Sequence, residues 1–397
     1  MDPSTKICLW VDRFNYPNIQ YPIDIGEYQS KNSIAKNSIL ITTQFEWINV
    51  EEAPQIVFCD ISLYERLREA KQHYNDLDLE KIRKLVNPFE NIGTSLFMNR
   101  AAIKIANIDA VHHICNDIFT YDNRHNDRRF TFCDVAGGPG AFTQYIQYRY
   151  PNSYGYGITL RTSESGLNWS PLLDLTRFEE YYGKKEQSLP ADGNLYYQWQ
   201  NYVNEVLAKE PQGVDLVMAD GGIGMESEED YQRQEFLSSR LLLVQVLPGI
   251  LCTKLGGVFV CKVFDTVTLF SAQLLYILAQ CFDSIILFKP CSSRPGNSER
   301  YIVCKGRKNN ITDYIELLSS AAKAYTDEQF ISSLFPEELS GDLSENFVSW
   351  LIHWNEYSIT NQLEVSDNIQ KYMNNEKVVL PKYDITKFLK IWNLPDK

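Results

Sequence analysis

The chain has 397 residues, a formal net charge of −13 at pH 7, and a composition that is 44% hydrophobic and 22% charged. This balance is typical of a soluble globular protein, and since no apolar run approaches the roughly 18 residues of a membrane helix, a membrane-spanning class is excluded. The excess of acidic residues argues against a uniformly basic surface for nucleic acid, but it leaves room for a local basic groove.

The nine cysteines are an odd number without a Cys-x-x-Cys pair, which indicates reduced thiols in a protein core. The first residues lack the basic and apolar regions of a signal peptide. Together these features predict an intracellular protein, in the nucleus for a cellular source and in the cytoplasm for a viral one. His112, His113 and Cys115 have no second pair of ligands at metal-binding spacing, so no metal is expected.

The N-terminal part of the chain divides into two predicted segments. Residues 1–60 show no clear period and are expected to form an N-terminal extension of short strands and loops. Residues 61–125 are expected to form a helical segment, because apolar residues recur at helical spacing over 63–86 and again over 97–108. Asn87-Pro88 predicts a turn between these two helices.

Residues 126–310 form the predicted core, in which strands alternate with helices as in a mostly parallel α/β sheet covered on both faces. The strand-like runs are 130–135, 155–159, 214–219, 257–263, 284–288 and 301–304, and the helical stretches are 142–150, 229–251 and 268–281. The last two strands are predicted to form a hairpin, which gives one antiparallel edge strand.

Two further segments interrupt or follow this core. Residues 161–212 break the alternation and are predicted to be an insertion over the carboxyl edge of the sheet. Residues 311–397 are predicted to be a mainly helical C-terminal region, in which 344–356 and 365–373 are the best helical stretches.

A glycine-rich loop, residues 136–142, follows the strand 130–135 and opens a helix. Glycine lets the backbone approach a ligand closely, and the position suits a nucleotide-like cofactor at a helix N-terminus. The loop has neither the Gly-Lys-Ser/Thr of a phosphate-binding loop nor the spaced glycines of a dinucleotide fingerprint. On this pattern alone, a cofactor site and a structural turn are equal alternatives.

Several ionisable residues are expected at the edge of the sheet where ligands bind in such folds. Asp220, Lys262 and Glu299 lie near predicted strand ends, and Lys104 lies on the preceding helix. Each residue also has an ordinary structural explanation: Asp220 could cap a strand end, Lys262 could lie at a sheet edge, Glu299 could form a surface ion pair with Arg300, and Lys104 could be solvated. Their convergence on one edge of the sheet nevertheless favours a functional site. A lysine among apolar side chains and near another cation is expected to have a lowered pKa, which suits Lys262 as a general base.

Six motifs in order along the chain resemble those of the cap-specific mRNA nucleoside 2′-O-methyltransferases, enzymes with an FtsJ-like Rossmann fold. The motifs are Asn87-Pro88-Phe89-Glu90, Asn99-Arg100-Ala101-Ala102-Ile103-Lys104, the glycine-rich loop, Met218-Ala219-Asp220-Gly221-Gly222, Cys261-Lys262-Val263-Phe264-Asp265 and Ser293-Arg294-Pro295-Gly296-Asn297-Ser298-Glu299-Arg300-Tyr301. The similarity runs from about Lys71 to the C-terminus, and the motifs are specific together although each alone is weak.

The resemblance implies a Rossmann-like core that uses S-adenosylmethionine for methyl transfer to the ribose 2′-hydroxyl of the first transcribed nucleotide of capped mRNA. It implies a catalytic Lys-Asp-Lys-Glu tetrad of Lys104, Asp220, Lys262 and Glu299. The implied cofactor contacts are Ala136, Gly137, Gly138, Pro139, Gly140, Ala141, Phe142, Asn194 and Leu195. Asn194 stands where the family has Asp, and Ala141 replaces the family's second glycine.

The implied partners are capped mRNA and other capping or transcription machinery, with residues 61–125 as a cap- and RNA-binding segment. The implied RNA contacts are Lys71, Asn75, Arg83, Asn99, Asp230, Tyr231, Gln232 and Asn297. Two alternatives keep the same fold: a 2′-O-methyltransferase of ribosomal or transfer RNA, and an inactive cofactor-binding subunit of an RNA-processing assembly. A dehydrogenase is disfavoured because the glycine-rich loop lacks the dinucleotide spacing.

Overall fold

The computed structural model describes residues 45–395, apart from 73–81, 83, 85–86, 88, 91, 93–95, 116–128, 163–166, 185–189, 226, 336–342, 344, 375 and 377–384. Most of the predicted extension 1–60, and most of the predicted helix 63–86 after residue 72, therefore lie outside the described residues. Within the part of the chain that is described, no helix is both long and apolar enough to cross a membrane.

A seven-stranded sheet forms the centre of the fold. The described strands are, in chain order, β1 (Glu46–Asn49), β2 (Phe130–Val135), β3 (Ser153–Ile158), β4 (Phe178–Tyr181), β5 (Val214–Ala219), β6 (Thr253–Val263), β7 (Phe282–Phe288), β8 (Arg300–Arg307) and β9 (Gln329–Ser333). The central sheet has the order β4-β3-β2-β5-β6-β8-β7, and β8 alone among these seven strands runs in the direction opposite to the other six. The predicted mostly parallel sheet with an antiparallel strand towards one edge is confirmed, and that strand lies second from the edge.

Helices cover both faces of this sheet. The described α-helices are α1 (Ile61–Lys71), α2 (Ala101–His112), α3 (Ala141–Arg149), α4 (Leu195–Lys209), α5 (Glu228–Gln232), α6 (Gln234–Leu237), α7 (Ser239–Cys252), α8 (Leu269–Cys281), α9 (Thr312–Ala324), α10 (Glu345–Met373) and α11 (Ile385–Ile391). Along β2, Cys133 and Val135 join one hydrophobic core while Phe130 and Phe132 join the other, because successive strand side chains alternate between faces. Helices α4, α7, α8, α9 and α10 cover the first core, and α2, α3 and α11 cover the second.

Residues 178–209, which lie within the predicted insertion 161–212, belong to the sheet and to its helical cover. Strand β4 extends the sheet at its edge, and α4 packs on the first core, where Tyr202 is fully buried and donates its hydroxyl to the carbonyl of Tyr156 at 2.8 Å. The strand was missed because its sequence, Phe-Glu-Glu-Tyr, carries charged residues at an exposed edge and has no apolar run.

Three other elements differ from prediction. The predicted helix 229–251 is divided into α5, α6 and α7. The C-terminal region contains one helix of 29 residues, α10, where two shorter helices were predicted. That region also contributes β9, which pairs antiparallel with β1 in a separate two-stranded sheet. Because β9 pairs with residues almost 300 positions earlier, local sequence alone does not reveal it.

The strand order locates the place where a ligand would bind. From β2 the chain proceeds outward to β3 and β4, and from β5 it proceeds in the opposite direction to β6. A crevice therefore opens beyond the carboxyl ends of β2 and β5, which is where α/β sheets of this type bind ligands. The glycine-rich loop follows β2, and Asp220 follows β5.

Candidate active site

The glycine-rich loop after β2 packs directly on a buried carboxylate. Asp134 is fully buried, and its Oδ2 accepts hydrogen bonds from the backbone N–H and the hydroxyl of Thr143. A Cβ on Gly137 would lie only 2.0 Å from Oδ1 of Asp134, so no side chain fits there. Burial raises the pKa of Asp134 to about 7, although the bonds from Thr143 oppose the change.

The same loop lies against the segment that follows β3. The N–H of Gly138 donates to the hydroxyl of Thr159 at 3.2 Å, and that hydroxyl donates to the carbonyl of Leu167 at 3.2 Å. A Cβ on Gly138 would lie 1.8 Å from the same carbonyl oxygen. The absence of a side chain at Gly138 therefore allows the loops after β2 and β3 to pack together at the crevice.

A cavity of about 1100 Å³ occupies this crevice and includes four of the predicted cofactor contacts, Ala136, Gly138, Asn194 and Leu195. Asn194 is the N-cap of α4, where its Oδ1 accepts a hydrogen bond from the N–H of Tyr196 at 3.1 Å. The other predicted cofactor contacts lie in the turn or at the start of α3 and do not line the cavity; they are Gly137, Pro139, Gly140, Ala141 and Phe142. Their direct contact with a cofactor stays a prediction.

The four residues of the predicted tetrad meet as two ion pairs. Nζ of Lys104 lies 2.6 Å from Oε1 of Glu299, and Nζ of Lys262 lies 3.3 Å from Oδ1 of Asp220. Lys262 also donates to the backbone carbonyl of Asp220 at 2.7 Å. Asp220, Lys262 and Glu299 line the cavity, and Lys104 joins them through its bond to Glu299.

Each carboxylate of the tetrad has a further donor from the same strand connection. Glu299 ends the connecting loop, residues 289–299, which joins β7 to β8, and its Oε1 accepts from the hydroxyl of Ser293 at 2.8 Å. Oδ1 of Asp220 accepts from the hydroxyl of Tyr301 on β8 at 2.7 Å. The antiparallel strand β8 and the loop before it thus orient both carboxylates.

The expected lowering of the Lys262 pKa is wrong. Burial by itself lowers the pKa of Lys262, but the charges of Asp220 and Glu299 outweigh burial, and the pKa is raised. The apolar neighbours in sequence suggested only the first effect, because the two carboxylates lie about 40 residues away along the chain. The pKa of Glu299 is well below its usual range, since Lys104 and Lys262 overcome the opposite effect of burial.

Four predicted RNA contacts line the same cavity: Lys71, Tyr231, Gln232 and Asn297. Nζ of Lys71 donates to Oε1 of Gln362 at 2.7 Å, and burial lowers the pKa of Lys71. Oε1 of Gln232 accepts from Arg68 of α1 at 3.0 Å. The cavity therefore extends from the tetrad to the side chains of α1.

Two other predicted RNA contacts, Asn99 and Asp230, do not line the cavity. Oδ1 of Asn99 accepts from the N–H of Ala101 at the start of α2. Asp230 forms a capping box with Ser227 at the start of α5. Both side chains therefore stabilise helix N-termini in this structure. Asn75 and Arg83 lie outside the described residues.

Three parts of the cavity wall, two of them apolar and one positively charged, were not predicted from the sequence. Val365 and Ile369 of α10 line it, as do Leu160 and Leu167 after β3. Arg68 and Arg294 add positive charge to the same wall. Apolar wall residues have no side-chain chemistry that marks them in a sequence. Arg294 lies in the same motif as Glu299, which is the only signal that could have indicated it.

The connecting loop is tied to two other parts of the protein. Nη2 of Arg294 pairs with Oε1 of Glu90 at 2.7 Å, and Arg100 also pairs with Glu90. At the other end, the buried guanidinium of Arg300 donates to Oδ1 of Asn355 in α10 at 3.0 Å. The loop that carries Glu299 is therefore held on both sides.

The described residues contain no group of three His, Cys, Asp or Glu side chains that could hold a metal ion. His112 packs edge-on against Phe288, with ring centroids 4.5 Å apart, and burial lowers its pKa to about 3. Cys115 is fully buried. These two side chains belong to the hydrophobic core.

Known proteins of one description are similar to this chain over most of its length. A Drosophila melanogaster protein described as cap-specific mRNA (nucleoside-2′-O-)-methyltransferase 1 is 35% identical over 364 residues, which cover 86% of this chain and 45% of that protein. The human protein of the same description is 33% identical over 425 residues, which cover 100% of this chain and 48% of its own length. The chain thus spans about half the length of these relatives.

A match at the level of the family covers the central part of the chain. The FtsJ-like methyltransferase family matches residues 97–307, a segment that includes the strands β2 to β8 and all four residues of the tetrad. This segment is more than half of the chain. The chain therefore belongs to the FtsJ-like methyltransferase family.

Proposed function

We propose that the protein uses S-adenosylmethionine to methylate the ribose 2′-hydroxyl of the first transcribed nucleotide of capped mRNA. The observation that carries this proposal is that Asp220, Lys262 and Glu299 line one cavity together with the glycine-rich loop. The choice of capped mRNA is supported by the descriptions of the relatives, which match 86% and 100% of this chain.

The cavity suits both a nucleotide-like cofactor and an RNA end. At about 1100 Å³ it exceeds the usual range of roughly 300–1,000 Å³ for a pocket that holds one small ligand. Gly138, Thr159, Asn194 and Leu195 would hold the cofactor on one side. Bound S-adenosylmethionine supplies a methyl group that is already activated by a positively charged sulfur, so the protein's task is largely one of orientation.

On the opposite side, positive charge is available for an RNA chain. Arg68, Lys71 and Arg294 line the cavity wall, and each is a suitable partner for phosphate. Tyr64 and Tyr231 line the same wall and offer aromatic faces, which favour a positively charged methylated base. An acidic protein can therefore bind RNA through this limited basic surface.

The reaction forms a bond between the 2′-oxygen and the methyl carbon, breaks the bond from that carbon to sulfur, and releases the hydroxyl proton. Lys262 is the proposed acceptor of this proton, since its Nζ lies on the cavity wall and is fixed by the backbone carbonyl and carboxylate of Asp220. Because its pKa is raised, Lys262 must first lose its own proton. A cationic ligand in the cavity favours that loss, because like charges disfavour the ionised form.

The proposal is tested by methyl transfer from labelled S-adenosylmethionine to two RNAs of identical sequence, one capped and one with a 5′-triphosphate. We expect transfer to the capped RNA only, and mass spectrometry of nuclease fragments should place the methyl group on the first ribose. Lys262→Met serves as the inactive control. Equal transfer to both RNAs, or transfer only to ribosomal or transfer RNA, would assign the enzyme to another substrate class. Binding of the cofactor without any transfer would support the inactive-subunit alternative.

A further inference from the structure

Lys289 is a buried lysine that the proposed reaction does not use. It directly follows β7 and begins the connecting loop, and only 6% of its surface is exposed. Its Nζ donates to the backbone carbonyl of Asn297 at 2.6 Å, to Oδ1 of Asn297 at 2.9 Å and to the backbone carbonyl of Glu299 at 2.9 Å. A lysine ammonium has three N–H donors, so these three oxygens use all of them.

Both residues that Lys289 holds belong to the site. Asn297 lines the cavity on the side predicted for RNA, and Glu299 pairs with Lys104. Because Lys289 binds Glu299 through the backbone carbonyl, the carboxylate is left for Lys104 and the hydroxyl of Ser293. Lys289 therefore joins the beginning of the connecting loop to its functional end.

The burial of this ammonium has an energetic cost. The pKa of Lys289 is lowered to about 7, chiefly by burial; Arg300, Lys71 and Lys104 act in the same direction, and Glu299 opposes the change. Four charged side chains from α1, α2 and β8 with its preceding loop thus act on this lysine. Ionisable groups kept in such surroundings are concentrated at functional sites, although structural networks also contain them.

We propose that Lys289 is a positioning residue, which fixes the end of the connecting loop so that Asn297 is presented to RNA and Glu299 remains on Lys104. The part that concerns RNA rests on the proposed function. The part that concerns the loop stands on the hydrogen bonds alone and can be tested without any assay of activity.

Lys289→Met removes the three donors and retains an unbranched side chain. Lys308→Met is the matched control, because Lys308 also donates to a backbone carbonyl, that of Ala279 at 3.4 Å. Glu299 precedes β8 and Lys308 follows it, and the eight residues of this strand separate the two by roughly 25 Å. Both variants are measured by steady-state methyl transfer and by hydrogen exchange of peptides that cover 290–299.

We expect Lys289→Met to lower kcat at least tenfold and to raise KM for capped RNA, while KM for S-adenosylmethionine stays within twofold of the wild-type value. A merely structural role would reduce the active fraction and leave both KM values unchanged. Exchange over 290–299 should accelerate in Lys289→Met and stay unchanged in Lys308→Met. Wild-type kcat and RNA KM in folded Lys289→Met, or the same effects in both variants, would overturn the proposal.

Two further results keep the inference independent of folding and of the proposed function. If Lys289→Met does not fold, the test uses Lys289→Arg, which retains hydrogen-bond donors in a different geometry. A raised KM for capped RNA in Lys289→Arg would support the positioning role, and wild-type kcat and KM values would refute it. If the wild-type protein methylates no capped RNA, the proposed function fails. Hydrogen exchange over 290–299 then decides on Lys289 by itself, and unaltered exchange in the folded variant would refute its role.

Discussion

The Lys104–Glu299 and Lys262–Asp220 pairs combine the same kinds of charged groups beside one cavity, but their surroundings differ. The first pair is close, at 2.6 Å, and Ser293 adds a second donor to the carboxylate. The second is looser, at 3.3 Å, and Lys262 also binds a backbone carbonyl. The Lys104–Glu299 pair is therefore the more tightly constrained of the two, and we expect its role to be mainly structural, whereas Lys262 lies on the cavity wall, where the proposed reaction needs it.

Exchanging the two lysines for methionine should separate these roles most strongly. We expect Lys262→Met to lower kcat by about 10³-fold, within the range for loss of a general base, with little change in thermal stability. Lys104→Met leaves Glu299 buried without its closest cation, so we expect it to lower the free energy of unfolding by about 3 kcal/mol. Methyl-transfer kinetics and denaturant unfolding of both variants test this; a large loss of stability in Lys262→Met alone would reverse the assignment.

The pH dependence of kcat should be determined by the protonation of Lys262. Because the pKa of Lys262 is raised, its neutral fraction is small at pH 7 and increases with pH until the pH reaches that pKa. We expect kcat to increase about tenfold per pH unit between pH 7 and 9, if the neutral amine is the base. A conservative control is Lys104→Arg, which should retain the same slope. A flat profile in the wild-type enzyme would mean that Lys262 acts only as a fixed cation.

The hydroxyl donors of the two carboxylates allow a finer comparison. Tyr301→Phe removes the hydroxyl that donates to Asp220 and retains the ring packed near Phe142. We expect the activation free energy to rise by about 1.5 kcal/mol, which lowers kcat roughly tenfold. Ser293→Ala removes one donor from Glu299, but Lys104 remains as its partner, so we expect kcat to fall by less than roughly threefold. Equal losses in the two variants would show that the pairs are equally constrained.

The smallest effect on activity is expected at Glu90, which anchors the outer side of the connecting loop. Arg294 and Arg100 lower the pKa of Glu90 to about 2, although burial alone would raise it. A carboxyl group whose pKa is lowered by folding stabilises the fold fully when the pH is above its pKa in the unfolded chain, about 4.3. This stabilisation is lost as the pH falls towards 2, the pKa in the folded protein. We therefore expect Glu90→Gln to cost about 1 kcal/mol of unfolding free energy at pH 7, less than the full pKa shift would imply, because solvent screens a partly exposed pair.

Urea unfolding of wild type and Glu90→Gln at a series of pH values measures this contribution. The difference between the two proteins should shrink between pH 5 and 3, while kcat at pH 7 changes less than about threefold. A difference that is independent of pH would show that Glu90 contributes through packing and not through its charge.

Much of the candidate site was predictable because strand ends and glycine positions leave a local pattern. The apolar run before Asp134, the turn after it, and Asp220 after the next buried strand all indicated one crevice. The geometry of a parallel sheet then brings these ends together irrespective of the sequence between them. The central sheet and both of its helical faces follow from the same periodicity.

The parts that were wrong or missed depend on residues far apart in the chain. The direction of the Lys262 pKa shift depends on Asp220 and Glu299, whose proximity only the folded sheet creates. In the sequence Lys289 is one lysine after an apolar strand, and nothing local reveals that three oxygens surround its ammonium. The edge strand β4 is short and charged, and its pairing with β3 decides its structure.

Helix α10 contacts the site at two separate places. Val365 and Ile369 line the cavity, and Asn355 binds Arg300, the residue that follows Glu299. At a rise of 1.5 Å per residue, this helix of 29 residues is about 43 Å long. One continuous element of the C-terminal region therefore supplies both a part of the cavity wall and the partner of Arg300 beside the tetrad.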